Sequence, residues 1–224
     1  MLKQYYGGIN SMKTFLFQGD SITDAGRCRD KYGKDSHGYP TFVEGILGAK
    51  YPNAFDFINM GVSGNRSVDM LARIKEDAIN YKPDVLTVLI GVNDVWHELG
   101  GRRNGIDADL YFTYYEMFVT QVLKMCPNTK IFILEPFVLK ASATEHDWDI
   151  FKNEVHLRAV KARELAEKYS LPFIPLQETF DGLTETAPAD HWLKDGVHPA
   201  PAGHYLIAEK IVAAVEKNCP ELLK

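Results

Sequence analysis

The chain has 224 residues, 46% hydrophobic and 25% charged, enough for one substantial core and ordinary for a globular domain. Its formal net charge of −5 speaks against a nucleic-acid partner, which would call for a basic face. No apolar run approaches the roughly 20 residues of a membrane span, and Met1 to Asn10 contain no apolar core of a secretory signal.

Residues 1–12 read either as a short N-terminal arm or as an upstream start before Met12, and the sequence leaves both open. A single domain is expected over 13–224. Cys28, Cys126 and Cys219 are few, odd in number and without motif spacing. They point to a reducing, cytoplasmic setting with no disulfide framework, and each reads as a buried or indifferent thiol.

Apolar strand-like runs fall at 13–18, 54–60, 84–90, 130–134 and 171–175. Helical spacing fills the intervals at 66–80, 107–125, 145–169 and 202–217. Runs apolar on both faces suit strands covered by helices on both sides. Alternation of the two types implies right-handed crossovers and a parallel sheet. The expected fold is therefore α/β: a three-layer α/β/α sandwich around a five-stranded parallel sheet, flavodoxin-like in outline.

In such sheets ligands bind beyond the carboxyl ends of the strands. The first run ends there in Gly19-Asp20-Ser21, followed by Thr23-Asp24; the second ends in Gly61 to Asn65, the third in Gly91 to Asp94. A serine hydroxyl needs a positioned base to attack a carbonyl. His198, in Asp195-Gly196-Val197-His198-Pro199, is the best candidate, with Asp195 placed to hold its other ring nitrogen. The oxyanion that develops needs donors: the Ser21 N–H, a glycine N–H at Gly61 or Gly64, and the Asn93 amide. Asn93 serves equally well as a turn residue or a helix cap.

Taken in order, Gly19-Asp20-Ser21, Gly61-x-x-Gly64-Asn65, Gly91-Val92-Asn93-Asp94 and Asp195-x-x-His198-Pro199 resemble the SGNH hydrolase (GDSL esterase/lipase) family. The family's leucine is replaced here by Ile22. The resemblance implies Ser21 as nucleophile and oxyanion donor, Gly64 (rather than Gly61) and Asn93 as the other donors, His198 as base and Asp195 as its orienter. Asp20 and Asp94 then organise loops.

Finer likeness, in Ser21-Ile22-Thr23-Asp24-x-Gly26-Arg27, Gly38-Tyr39, Asn93-Asp94-Val95-Trp96 and Glu135-Pro136-Phe137, is to bacterial acetylxylan and related carbohydrate-acetyl esterases. It implies a short-chain, acetyl ester on a xylo-oligosaccharide or another sugar, and makes a homo-oligomer plausible. Trp96 and Trp192 are then candidates to wall an acyl pocket or stack on a sugar; ordinary packing is the competing reading. Arg27 is expected to tie loops through a carboxylate, and Arg29 to Asp35, with Gly33, to form a flexible loop beside the serine.

No metal or organic cofactor is expected. Histidines 37, 97, 146, 156, 191 and 204 form no convincing metal site, and the glycine spacing matches no nucleotide-binding loop. Glu98, Glu116 and Glu154 read as solvated helix faces. The competing functions are a short-chain lipid or lysophospholipid esterase and a flavodoxin-like module that binds without turnover.

Overall fold

A computed structural model of the chain describes residues 12–29 and 36–224. The proposed arm and most of the proposed loop beyond Arg29 lie outside the described residues. In chain order the strands are β1 (Lys13–Gly19), β2 (Phe55–Asn59), β3 (Val85–Leu89), β4 (Lys130–Leu134) and β5 (Phe173–Ile174). The helices are α1 (Ser21–Asp24), α2 (Tyr39–Lys50), α3 (Ser67–Ala72), α4 (Ile74–Asp77), α5 (Val92–His97) and α6 (Ala108–Met125). They continue with α7 (Trp148–Lys168), α8 (Gln177–Leu183), α9 (Ala189–Trp192) and α10 (Pro201–Asn218).

The sheet is five-stranded and parallel, in the order β2-β1-β3-β4-β5. Side chains alternate between its two faces. Phe15, Phe17, Val85 and Phe132 point to the layer of α2 and α10, where they meet Val43, Leu47, Ile207 and Ile211. Leu16, Leu86, Val88 and Ile131 point to the other layer, against Met70 of α3, Phe118 and Val122 of α6 and Leu165 of α7. Phenylalanines fill the first face densely: Phe15 stacks on Phe17 at 4.7 Å between centroids and meets Phe55 edge-on at 5.5 Å.

All five strands and the four long helical patterns lie where the sequence puts them, with three differences. The 66–80 pattern is α3, α4 and a short 3-10 turn, Ile79–Tyr81, broken at Arg73. The fifth strand shrinks to two residues because Pro172 and Pro175 flank it and lack the N–H a ladder needs. The pattern leaves α2 unassigned, since Gly45 and Gly48 weaken it as a helix. Burial of Tyr39, Val43 and Leu47 on one face overrides that propensity.

β1 lies between β2 and β3, so the turns after these three strands are neighbours at one edge. The chain reverses its direction of winding between β1 and β3, the switch point at which open parallel sheets open a crevice.

Candidate active site

Ser21 is the first residue of α1, directly after the turn at Asp20. Asp20 caps that helix: its Oδ1 accepts the Ile22 N–H at 3.0 Å. The Ser21 N–H, at the first position of a helix, has no intrahelical acceptor and is available to a ligand. Asp20 itself is buried, and that burial raises its carboxyl to about 7. It supports the turn from below rather than facing the cavity.

His198 arrives from the loop before α10. Its Nε2 lies 2.9 Å from Ser21 Oγ, and its Nδ1 lies 2.7 Å from Asp195 Oδ2. The second carboxylate oxygen, Oδ1, accepts the N–H groups of Val197 and His198 at 2.9 and 2.8 Å, so the Asp195 side chain is fixed in direction. Burial pushes the Asp195 carboxyl up, but the hydrogen bonds from His198 and Val197 outweigh it and bring it to about 2. The bond to Asp195 raises His198 above its ordinary value, against the opposing effect of burial.

The loop is rigid because its backbone is used. Leu139 N–H donates to Gly196 O at 2.8 Å, and Lys194 N–H to His198 O at 2.8 Å. Gly196 has φ +96, and a Cβ there would lie 2.4 Å from Leu139 O. Only glycine makes this turn at no cost.

On the opposite side stand Gly64, after β2, and Asn93, at the start of α5. Asn93 Nδ2 donates one hydrogen to Asn65 O at 3.1 Å; an amide nitrogen carries two, so one remains for the cavity. Gly61 is occupied otherwise. Its N–H donates to Asn59 Oδ1 at 2.9 Å, and a Cβ on it would lie 2.3 Å from the backbone nitrogen of Asp24. Its task is close packing of the β2 turn on α1, which leaves Gly64 as the glycine of this loop lining the cavity.

Ser21, Gly64, Asn93, Trp96 and His198 thus line one open cavity of about 380 Å³. Trp96 lies 5.7 Å from the His198 ring and 6.1 Å, edge-on, from Phe151. The cavity's remaining wall is Ser63, His97 and Gly100, none of which the sequence singled out as site residues. Trp192 is placed apart from that lining: its indole N–H donates to Leu183 O at 3.1 Å, and its ring packs at the edge of the core.

The supporting residues were also only partly legible. Arg73 donates to Met60 O at 2.9 Å, Gln18 Oε1 at 2.9 Å and Gly19 O at 3.2 Å, tying the ends of β1 and β2 together. Arg66, Asp69, Lys75, Glu76 and Asp77 charge the same helical window, so nothing in the sequence set Arg73 apart. Arg27 donates to a carbonyl, Gly61 O, at 2.7 Å; it is Arg29 that pairs with the Asp24 carboxylate, at 2.7 Å. Asp94 accepts the N–H and hydroxyl of Ser67 and so organises a loop, as expected.

The three glutamates reach solvent, and each has a partner at the surface. Glu116 pairs with Lys168 at 2.7 Å, Glu98 accepts the Gly105 N–H at 3.1 Å and Glu154 pairs with Arg158. Among the described residues no group of three or more His, Cys, Asp or Glu is placed to hold a metal, and no helix is long and apolar enough to cross a membrane.

A strand-end serine in contact with a carboxylate-backed histidine, opposite amide donors on a flavodoxin-like sheet, defines the class of serine hydrolases that act on esters. The family model of GDSL-like lipases and acylhydrolases matches residues 17–206, and the chain belongs to that family; it is a carboxylic ester hydrolase.

An acetylxylan esterase from Geobacillus stearothermophilus is 32% identical over 216 residues, covering 92% of this chain and 95% of the relative. The crystal structure of an acetylxylan esterase from that organism superposes with a TM-score of 0.81 at 30% identity, covering 92% of this chain and 95% of the other. A GDSL-lipase-like protein from Parabacteroides merdae gives a TM-score of 0.83 at 33% identity, covering 93% and 98%. Alanine variants of a serine, an aspartate and a histidine of the Geobacillus enzyme are each described as catalytic mutants.

Proposed function

We propose that the chain removes O-acetyl groups from xylo-oligosaccharides or other small acetylated sugars through an acyl-serine intermediate. The 2.9 Å contact between Ser21 Oγ and His198 Nε2 inside the cavity carries this reading. Ser21 attacks the ester carbonyl as His198 takes its proton. Asp195 holds the imidazole in the tautomer that accepts at Nε2 and stabilises the imidazolium. The Ser21 and Gly64 N–H groups and the Asn93 amide receive the oxyanion. His198 then protonates the departing sugar alkoxide, and a water activated by the same histidine clears the acyl-enzyme.

The size of the acyl group is argued from the wall. Among the lining residues Trp96 is the one large apolar side chain, the others being serines, glycines, histidines and Asn93. Such a lining suits a methyl group beside a polyhydroxylated leaving group better than a long hydrocarbon tail. The likeness to the Geobacillus acetylxylan esterase supports the same substrate class. No cofactor enters the reaction. Free Cys28, Cys126 and Cys219 support action in the cytoplasm. Exposed Leu110 and Met117 on α6 and Leu157 and Val160 on α7 support a homo-oligomer, which sedimentation would read.

The test is acetate release from acetylated xylo-oligosaccharides and monosaccharides, beside an acyl-length series on aryl esters. Purified Ser21→Ala is expected to lose hydrolysis while its melting curve is nearly unchanged. Full activity in that variant would remove Ser21 from the mechanism. A rate that rises with acyl length would transfer the enzyme to short-chain lipid esters. Failure of a fluorophosphonate to label Ser21 would point to a binding module.

A further inference from the structure

A second cavity, of about 460 Å³, lies on the other side of α5. Asn93 and Trp96 of that helix line the first cavity; Asp94, Val95, Glu98 and Leu99 line the second. The spacing puts the two sets on opposite helix faces, so α5 is a wall common to both. Its volume falls in the range of small-molecule sites.

The second cavity has mixed chemistry. Asp94, Glu98, Asp107 and Glu154 supply carboxyl groups, and Ile106 and Ile150 supply apolar surface. Arg158, only 4% exposed, lines it too. Two guanidinium nitrogens of Arg158 are used, on Glu154 and on the Ile106 carbonyl. Nε is enclosed, but Nη2 gives only one of its two hydrogens, to Ile106 O, so one charged N–H of this cavity-lining side chain stays unused. A charged donor left without a partner is costly, and a ligand that accepts from it recovers that cost.

The charges restrict the ligand. A cation would meet the Arg158 guanidinium, and an anion would meet four carboxyl groups. A neutral molecule with many hydroxyls meets both sets, accepting from Arg158 and donating to carboxylates, which keep unused lone pairs after their internal bonds. Its C–H faces would pack on Val95, Leu99, Ile106 and Ile150. We propose that this cavity is a second binding site, distinct from the Ser21 site, for a neutral polyhydroxylated ligand of the saccharide class. The inference rests on the cavity's own chemistry and stands whether or not Ser21 is the nucleophile.

Calorimetric titration of Ser21→Ala protein with xylobiose tests it, with magnesium chloride and inorganic phosphate as the charged comparisons. Two further substitutions are made in the Ser21→Ala protein. Ile150→Trp fills the cavity from its rim, where Ile150 is 55% exposed and the fold tolerates bulk. Glu98→Gln removes one charged acceptor from an exposed position. Glu98→Gln is expected to weaken xylobiose binding about tenfold or more, the loss of a charged hydrogen bond, and Ile150→Trp to weaken it at least as much by occupying the space, while Trp96→Ala in the first cavity leaves that binding event unchanged.

Xylobiose binding that responds to Trp96→Ala but to neither Ile150→Trp nor Glu98→Gln would place the sugar in the first cavity and overturn the proposal. So would saturable binding of magnesium or phosphate with none of xylobiose. Absence of any titratable event in folded Ser21→Ala protein would do the same.

Discussion

In the mechanism we propose, the chemistry turns on how His198 is held between two oxygens. Asp195 raises the imidazole's proton affinity, and only the neutral ring accepts the Ser21 proton. Activity is therefore expected to rise with pH through the raised value of His198, giving an acid limb displaced upward from an ordinary histidine. In Asp195→Asn that limb should move to lower pH, and kcat should fall by about 10³–10⁴-fold as the tautomer is lost. A pH–rate profile of both proteins reads the two effects together; an unmoved limb would mean that another group titrates there. Asn93→Ala is expected to lower kcat by about 10²–10³-fold with KM little changed, because the amide binds the oxyanion more strongly than the ground-state carbonyl. Steady-state kinetics on an acetyl ester checks this.

Among the elements, the short α1 and α5 do the positioning, and longer helices hold the layers around them. Asp20 opens α1 and Gly91 opens α5, so Ser21 and Asn93 each stand within two residues of a helix cap that follows a strand. Strand positions were readable because their apolar runs are long relative to the flanking turns. The α2 helix was not readable, since its two glycines conceal a face that only burial against α10 and β1 stabilises. The broken helix at 66–80 has a similar cause: Arg73 leaves helical geometry where its side chain reaches back to β1 and β2. For α6 the local signal was sufficient. Asp107 accepts the Asp109 and Leu110 N–H groups at 3.0 and 2.9 Å, and Asp107→Ala should cost about 1 kcal/mol of stability, seen as a lower urea midpoint at unchanged slope.

At the scale of the molecule, three buried groups contribute to the dependence of stability on pH, with opposite signs. Burial raises Asp20 and Asp94 to about 7, so the folded state holds their protons more tightly and these two favour folding as pH falls from 7. Burial, with Lys194 and His198 nearby, lowers His204 from 6.5 to about 4. Between those values the unfolded chain binds the proton and the folded chain does not, so stability is lost as pH falls through that window. The loss attributable to His204 is about 3 kcal/mol when complete. His204→Asn should retain an acceptor for the Tyr39 N–H, which His204 Nδ1 now takes at 3.1 Å. Its melting temperature should fall less than that of the parent between pH 7 and pH 4. An equal fall in both proteins would assign the acid sensitivity elsewhere.

The meeting of Ser21, His198 and Asp195 was legible because each sits in a short motif whose neighbours dictate its backbone, and because motif order followed strand order. Gly64 was selected over Gly61 by family likeness alone, since both glycines read identically in one dimension. Packing separates them: Gly61 is pressed on the backbone of α1, and Gly64 faces the cavity. Trp96 and Trp192 were equally ambiguous, and the placement of α5 and α9 put one beside His198 and the other against Leu183. Periodicity and turn chemistry act over a few residues, so they specify the strands, most helices and the reactive motifs. Distances of 177 residues along the chain, as between Ser21 and His198, close to hydrogen-bond range only when the sheet and both helical layers have packed.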